Sequence, residues 1–142
     1  MSNSLGDPYK YKIWKFMSIK DILNYCIIDT NSYKICNDPY TWKFLIYRDF
    51  NINNLDHISD IGELKRIYFI QYIKNKTYEY NLRYLFEYYR SSYNNVQSLI
   101  SRFYDLNDQL MMGDISKAKY NIEVDKLREL FADILYTNKI LI

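Results

Sequence analysis

Polar residues and a proline divide Trp14 to Phe50 into three short helical segments, and this division constrains the fold more than any other feature of the sequence. Ser18 is placed to N-cap the first segment, and Asp21, three residues later, completes the spacing of a capping box. Asp38 and Pro39 start the third, since the first helical position tolerates a residue without an N–H group. Three short helices are therefore predicted here.

The middle of these segments is separated from the first by a polar run, Asp29 to Ser32, which ends one helix and can cap the next. A further short helix is predicted upstream, from Tyr9 to Met17, where apolar residues recur at roughly helical spacing. Neither segment shows the alternation of apolar and polar residues that is typical of strands. The N-terminal part of the chain is thus predicted to be helical throughout.

Four more helices are predicted downstream, starting near Ser59, Thr77, Asn94 and Glu123. Gly113 follows the third of them, where a left-handed C-cap favours glycine. The apolar stripes expected to form the core are Leu64, Ile67, Tyr68, Ile70 and Ile73; Tyr78, Leu82, Leu85, Phe86 and Tyr89; Val96, Leu99, Ile100, Phe103, Leu106, Leu110 and Met111; and Val124, Leu127, Leu130, Phe131, Ile134 and Leu135.

An all-α fold is therefore predicted, with a three-helix unit at the N-terminus followed by a bundle of antiparallel helices. The boundary is placed in the polar connector, giving residues 1–56 and 57–142 as two parts of one continuous compact unit. At 142 residues the chain is long enough for one domain with a substantial core.

The side chains of the three short helices also follow a known pattern. It resembles the second half and tail of an F-box, in the form found in F-box-like proteins of large DNA viruses. The region that corresponds to the family's first helix, residues 7–17, lacks the Leu-Pro pair with which that helix usually begins. The matching residues are Ser18, Asp21, Ile22, Leu23, Asn24, Cys26, Tyr33, Ile35, Cys36, Asn37, Asp38, Trp42, Leu45, Arg48, Asp49 and Phe50.

This resemblance implies a protein-interaction module that docks on a Skp-family adaptor of a cullin–RING ubiquitin ligase and presents a target protein. Docking requires an exposed apolar face in the first fifty residues, although Trp42 could instead pin the three helices internally. Residues Tyr78 to Ile142 are then expected to bind the target or to form an oligomer. The residues expected to bind the adaptor are Phe16, Met17, Ile19, Ile22, Leu23, Ile35, Trp42 and Leu45.

Composition bears on the alternatives. The net charge of +2 does not favour a protein that binds nucleic acid through phosphate contacts. No apolar run approaches the roughly 20 residues of a membrane span, and the N-terminus does not have the pattern of a signal peptide. The 17 tyrosines are explained either by the codon bias of an A/T-rich genome or by selection for a binding surface.

Residues suited to catalysis or metal binding are sparse. His57 is the only histidine and lies in a polar connector. A catalytic base needs an orienting partner and a nucleophile or water, and a metal site normally gathers several ligands, so His57 is interpreted as a solvated loop residue. Cys26 and Cys36 are interpreted as small core residues in a reducing compartment, with a disulfide as the alternative. The sequence therefore predicts a non-enzymatic, cytoplasmic protein without metal or cofactor, placed in the host cytoplasm or a viral factory if it is viral.

Two other functions compete with adaptor docking. The protein could be a small structural component of a large DNA virus, in a virion or an assembly, that keeps the F-box-like helices without binding the adaptor. It could also be associated with nucleic acid through the helix Tyr78 to Tyr93, whose tyrosines could stack on bases while Arg83 and Arg90 contact phosphates. Near-neutral charge argues against this last hypothesis.

Overall fold

Helices account for all the regular secondary structure in the part of the chain that the structure describes, residues 17–26, 34 and 36–140 of a computed structural model. The predicted all-α class is confirmed for these residues. The predicted helix at 9–17 and the short one at 33–36 fall largely outside them. The helices are α1 (Ile19–Cys26), α2 (Pro39–Phe50), α3 (Ile61–Thr77), α4 (Leu82–Tyr89), α5 (Asn94–Met111) and α6 (Lys117–Thr137).

The chain divides into two compact units, and the boundary lies within α3, between Tyr68 and Phe69. The sequence predicts the boundary twelve residues earlier, after residue 56, in the polar connector. The difference has a physical reason, because the first two turns of α3 carry Leu64 and Tyr68 into the core of the first unit.

Local capping starts both helices of the N-terminal region. The N–H of Asp21 donates to Ser18 Oγ at 3.1 Å, as predicted for the start of α1. Asp38 has extended backbone and accepts from the N–H of Tyr40 at 3.0 Å, with Pro39 at the first helical position of α2. At the other end, Asn51 takes the left-handed conformation and its N–H donates to Tyr47 O at 2.9 Å.

Aromatic side chains pack the core of the first unit. The ring of Tyr68 meets Trp42 edge-on at 5.8 Å between centroids and lies 4.9 Å from the ring of Phe50. Each fully buried side chain of this size contributes about 1.5–3 kcal/mol of hydrophobic stabilisation. Among the residues of this unit that the structure describes, the buried apolar ones are Ile19, Ile22, Cys26, Cys36, Trp42, Leu45, Ile46, Leu55, Leu64 and Tyr68.

The second unit packs α4 against α5 and α5 against α6. Only five residues separate Met111 from Lys117, so α5 and α6 form a helical hairpin. Phe86 of α4 contacts Phe131 of α6 edge-on, with ring centroids 5.0 Å apart. The buried cluster comprises Ile73, Leu82, Leu85, Phe86, Val96, Leu99, Ile100, Val124, Leu127, Phe131, Ala132 and Leu135.

Gly113 ends α5 as predicted. Its φ is +77°, its N–H donates to Leu110 O at 3.2 Å, and the N–H of Asp114 donates to Gln109 O at 2.8 Å. These two bonds define a Schellman motif, and the left-handed residue in the motif is the one that best tolerates that conformation. The turn between α5 and α6 is therefore set by local sequence.

Two helix starts differ from the predictions. α4 begins at Leu82, because Asn81 rather than Thr77 caps it and accepts from the N–H of Tyr84 at 3.2 Å. α6 begins at Lys117 because Ser116 accepts from the N–H of Lys119 at 3.0 Å. Both prediction errors arose from overlooking a short polar cap inside a segment assigned to another role.

The predicted core stripes were too wide in three places. Tyr78 lies in the turn before α4 and is exposed, Leu130 is exposed on α6, and Met111 at the end of α5 has 85% of its surface accessible. A periodic stripe marks one side of a helix but does not show how much of that side a neighbour covers. Among the described residues, no helix has the length and apolarity needed to cross a membrane.

Candidate functional site

Several residues expected to form an exposed adaptor-binding face lie instead in the core. Ile19, Ile22, Trp42 and Leu45 are buried, and Trp42 and Leu45 are almost completely inaccessible. The expected exposure of these four side chains is wrong, because the two helices that carry them use them for their own packing. Met17 and Leu23 are half-buried, while Phe16 and Ile35 lie outside the described residues.

The burial of Trp42 is accompanied by a polar contact that fixes the indole. Its Nε1 donates to the main-chain oxygen of Cys36 at 2.6 Å. The Lys65 ammonium lies 5.6 Å from the centroid of the ring. Trp42 therefore holds the segment before α2 against α2 itself. This internal role is the alternative that the sequence left open for Trp42.

Cys26 and Cys36 form a disulfide in the structure, with their Cα atoms 5.8 Å apart. The interpretation of these residues as separate reduced thiols is therefore wrong, and the alternative, a disulfide between them, is what the structure contains. The sequence placed both on buried faces of adjacent helices, and burial is what the structure has. Their pairing depends on how the helices pack, which the spacing of two cysteines alone does not reveal.

α2 exposes two aromatic side chains. Tyr40 and Tyr47 are each about half accessible, on the opposite side from Trp42 and Leu45. The Lys43 ammonium lies 5.4 Å from the centroid of the Tyr40 ring, which places a cation beside that ring. The sequence analysis did not single out these two tyrosines, although their seven-residue spacing places them on one helical face.

The first unit also contains one strong polar cluster. The guanidinium of Arg48 binds Asp49 with both ends of its fork, at 2.7 Å and 2.8 Å, and donates to Met17 O at 2.9 Å. The phenol of Tyr68 donates to the same carboxylate. Burial, together with the bond to Asp49, raises the pKa of Tyr68. The cluster holds together Met17, two residues before α1, the end of α2, and α3.

The second unit carries its most exposed aromatic side chains on and beside α4. Tyr84 and Tyr88 lie one turn apart with 63% and 65% of their surfaces accessible and ring centroids 6.3 Å apart. Tyr88 contacts Tyr89 edge-on at 4.9 Å, and Tyr89 stacks on Tyr93 at 6.3 Å. We call these four residues the tyrosine surface. Tyr89 and Tyr93 also pack against the core, and this packing fixes one side of the tyrosine surface.

The arginines beside the tyrosine surface are engaged within the protein. The guanidinium carbon of Arg83 lies 5.3 Å from the centroid of the Tyr104 ring. Arg90 Nε donates to Gln97 at 2.9 Å, and its Nη1 lies 3.3 Å from Glu87. Hydrogen bonds from Tyr104 and then Arg90 lower the pKa of Glu87. Charges of both signs are thus interleaved here, unlike a groove built for a phosphate backbone.

A shallow groove of 510 Å³ runs along α6 beside Tyr78. Tyr78 donates to Asp125, whose other oxygen accepts from Lys74 at 2.9 Å. Arg128 lies 4.2 Å from the centroid of the Tyr78 ring and donates to Thr77 O at 3.0 Å. The groove is lined by Tyr78, Asn121, Ile122, Val124, Asp125, Lys126 and Arg128.

These polar groups satisfy one another and the end of α3. Burial raises the pKa of Asp125, but the hydrogen bonds from Tyr78 and Lys74 and the positive charges of Lys74 and Arg128 outweigh it, so the net pKa is lowered. Arg128 caps a carbonyl at the C-terminus of α3, where a cation is favoured. The arrangement joins the end of α3, the following turn and α6.

Residues suited to metal binding do not converge in the described part of the chain, where no three His, Cys, Asp or Glu side chains are placed to hold an ion. His57 is exposed in the connector before α3, as the sequence predicted. The polar clusters at Asp49 and Asp125 are each built around one carboxylate held by a tyrosine and a cation.

Exposed aromatic side chains among the described residues include the tyrosine surface and, on α2, Tyr40 with Tyr47. Comparisons with known proteins assign neither of them. No protein-family model matches the chain, and no curated protein or solved structure shows significant similarity to it.

Proposed function

We propose that the protein is a non-enzymatic interaction module that binds a partner protein through the tyrosine surface of its second unit. The observation that carries the proposal is the pair of neighbouring rings of Tyr84 and Tyr88, each with more than three-fifths of its surface accessible. Tyrosine combines a large apolar ring with a hydroxyl and is enriched in interfaces for that reason.

The geometry of this surface suits a protein partner. Tyr89 and Tyr93 are half-buried and pack on the core, so Tyr89, whose ring contacts that of Tyr88, is held in place before binding. A preformed aromatic patch loses little side-chain entropy on association. Hydrogen bonds to hydroxyls and the neighbouring charges of Glu87 and Arg90 then supply the polar rim.

The first unit contributes the adaptor-docking half of the proposal. The sequence resemblance to F-box-like proteins supports docking on a Skp-family adaptor in the cytoplasm, and the tyrosine surface would then hold the target. Because Trp42 and Leu45 are core residues, the candidate contacts on this unit are the half-exposed Leu23 and the exposed Tyr40 and Tyr47.

Interaction with nucleic acid receives less support from the same geometry. Arg83 and Arg90, the proposed phosphate contacts, are held by Tyr104, Glu87 and Gln97. A role as a structural protein of a viral assembly is compatible with the tyrosine surface and differs from the adaptor hypothesis in its partner. The partner's identity is therefore the quantity to measure.

Two binding experiments test the proposal. In the first, the tagged full chain and its double variant Tyr84→Ala/Tyr88→Ala are recovered from cells, and co-purifying proteins are compared by quantitative mass spectrometry. Lys117→Ala, an exposed change away from α4, is the matched control. A protein recovered with wild type and control but lost with the double variant identifies the partner. Equal recovery of every protein with all three chains contradicts the proposal.

The second experiment titrates purified Skp-family adaptor against wild type and Leu23→Asp. The tryptophan at position 42 is avoided, since replacing this buried side chain would strongly destabilise the unit and confuse a loss of binding with a loss of folding. Binding by wild type and loss in Leu23→Asp, with an unchanged circular dichroism spectrum, support adaptor docking. If the wild-type chain does not bind the adaptor, the adaptor-docking part of the proposal is wrong. Partner binding by the tyrosine surface is then tested by the first experiment alone.

A further inference from the structure

We infer that the redox state of the Cys26–Cys36 disulfide controls whether α1 stays packed against the rest of the first unit. The inference is independent of the proposed function. It rests on how α1 is held at each end and on the shortness of that helix.

α1 has only eight residues, fewer than the roughly 12–15 at which an isolated helix becomes marginally stable in water. Its persistence therefore depends on attachment to the rest of the unit. Ile19 and Ile22 bury one face of the helix. Arg48 holds its beginning through the 2.9 Å bond to Met17 O, and the disulfide holds its last residue.

The disulfide is also connected to the core. Cys36 carries both the sulfur bonded to Cys26 and the carbonyl that accepts the indole bond of Trp42. Reduction removes the covalent restraint on the position of Cys36, and thereby loosens the partner of the buried indole. A redox event at the end of α1 is thus transmitted to the centre of the unit.

The balanced reaction is thiol–disulfide exchange with a small dithiol. One thiolate of the reductant attacks either cysteine sulfur and expels the other as a thiolate, which takes up a proton; the second reductant thiol then displaces the remaining cysteine and closes a cyclic disulfide. Two electrons and two protons pass to the cysteines. The reverse step needs a disulfide oxidant such as oxidised glutathione.

Burial sets the conditions under which this exchange occurs. Both cysteines are more than nine-tenths buried, so the sulfur atoms become reachable when α1 transiently separates. Once the bond is broken, the equilibrium constant for this separation rises, because the closed loop between Cys26 and Cys36 no longer restricts the open state. For a loop of this length the loop-entropy relation gives an increase of about a hundredfold.

The test uses the full chain with Trp14→Phe, which leaves Trp42 as the single indole. Oxidised protein, protein reduced with dithiothreitol, and Cys26→Ser/Cys36→Ser are compared by Trp42 emission, by limited proteolysis and by maleimide mass labelling under denaturing conditions. We expect no label on the oxidised chain, two on the reduced chain, a red-shifted emission on reduction, and faster cleavage near α1.

The double variant is expected to resemble the reduced chain and to be insensitive to dithiothreitol. If it does not fold, the comparison of oxidised and reduced wild-type sequence decides alone. Two labels on the chain after treatment with oxidised glutathione would show that the bond does not form. Unchanged emission and proteolysis on reduction would show that the bond forms without controlling α1. Either result overturns the inference.

Discussion

The indole of Trp42 donates a hydrogen bond to the main-chain oxygen of Cys36 at 2.6 Å inside the core of the first unit. One contact thereby satisfies the polar atom of a buried aromatic residue and fixes the backbone just before α2. It also explains why a residue expected at a binding surface is inaccessible. The tryptophan is needed to build the unit and is not accessible at its surface.

Replacing Trp42 should therefore destabilise the protein directly. Trp42→Ala removes the ring and leaves the Cys36 carbonyl without its donor, so the free energy of unfolding of the first unit should fall by about 3–5 kcal/mol. Chemical denaturation followed by circular dichroism measures the change. Tyr47→Ala on the exposed side of α2 should stay within about 0.5 kcal/mol of wild type. Equal effects of the two changes would contradict the assignment of Trp42 to the core.

Thr41 provides a test of opposite sign. Its Oγ1 is buried and has no hydrogen-bond partner within the described part of the chain. Thr41→Val replaces the hydroxyl with a methyl group of similar volume, so we expect a stabilisation of about 1 kcal/mol, seen as a higher denaturation midpoint. Thr41→Ser keeps the hydroxyl, removes the methyl group, and should destabilise. A destabilised Thr41→Val would mean that the hydroxyl has a partner.

The raised pKa of Tyr68 predicts a loss of stability in alkali. In the folded protein, burial and the bond to Asp49 favour the neutral phenol, whereas the unfolded chain ionises near pH 10.0. The stabilisation is therefore fully present below pH 10 and is lost as the pH rises above it. Denaturation midpoints measured between pH 8 and pH 11 should fall less steeply for Tyr68→Phe than for wild type. Parallel curves would contradict the role assigned to this phenol.

The lowered pKa of Asp125 predicts a loss of stability of the second unit in acid. Its net pKa lies below the ordinary value of 3.8, so its contribution is present above that pH and is lost as the pH falls through the folded-state pKa. Asp125→Asn should reduce the acid dependence of stability between pH 5 and pH 2 and lower stability at neutral pH. Asp105→Asn, an exposed change on α5, is the matched control. An equal response of both variants would count against the network around Tyr78 and Lys74.

Local chemistry explains which parts of the fold the sequence predicted. Ser18, Asp38 and Gly113 act through main-chain bonds within a few residues, so their roles can be recognised without knowing the tertiary structure. Asn81 and Ser116 act in the same way and were missed because their segments had been assigned to other helices or connectors. Both residues are of the types that N-cap helices, so the sequence carries the signal for these two helix starts.

Surface and core were harder to separate, for a physical reason. Trp42 and Tyr84 are both aromatic residues on amphipathic helices, yet Trp42 is buried and Tyr84 has 63% of its surface accessible. Which one is covered depends on the neighbouring helices, and helical periodicity carries no information about them. The Cys26–Cys36 pairing also depends on tertiary packing, because the bond forms only when the two segments lie close together.

The measurement that tests the central proposal most directly compares partner recovery and thermal stability for Tyr84→Ala/Tyr88→Ala and for Phe86→Ala, on the same helix. Phe86 is buried and Tyr84 and Tyr88 are exposed. We predict that the melting midpoint of the double tyrosine variant stays within about 2–4 °C of that of wild type. The amount of a specific partner recovered with this variant should fall at least about tenfold, because each interface tyrosine can contribute more than 1 kcal/mol to binding. Phe86→Ala should lower the midpoint clearly. Unchanged recovery of every partner by the double tyrosine variant, or a melting midpoint as low as that of Phe86→Ala, would contradict the account.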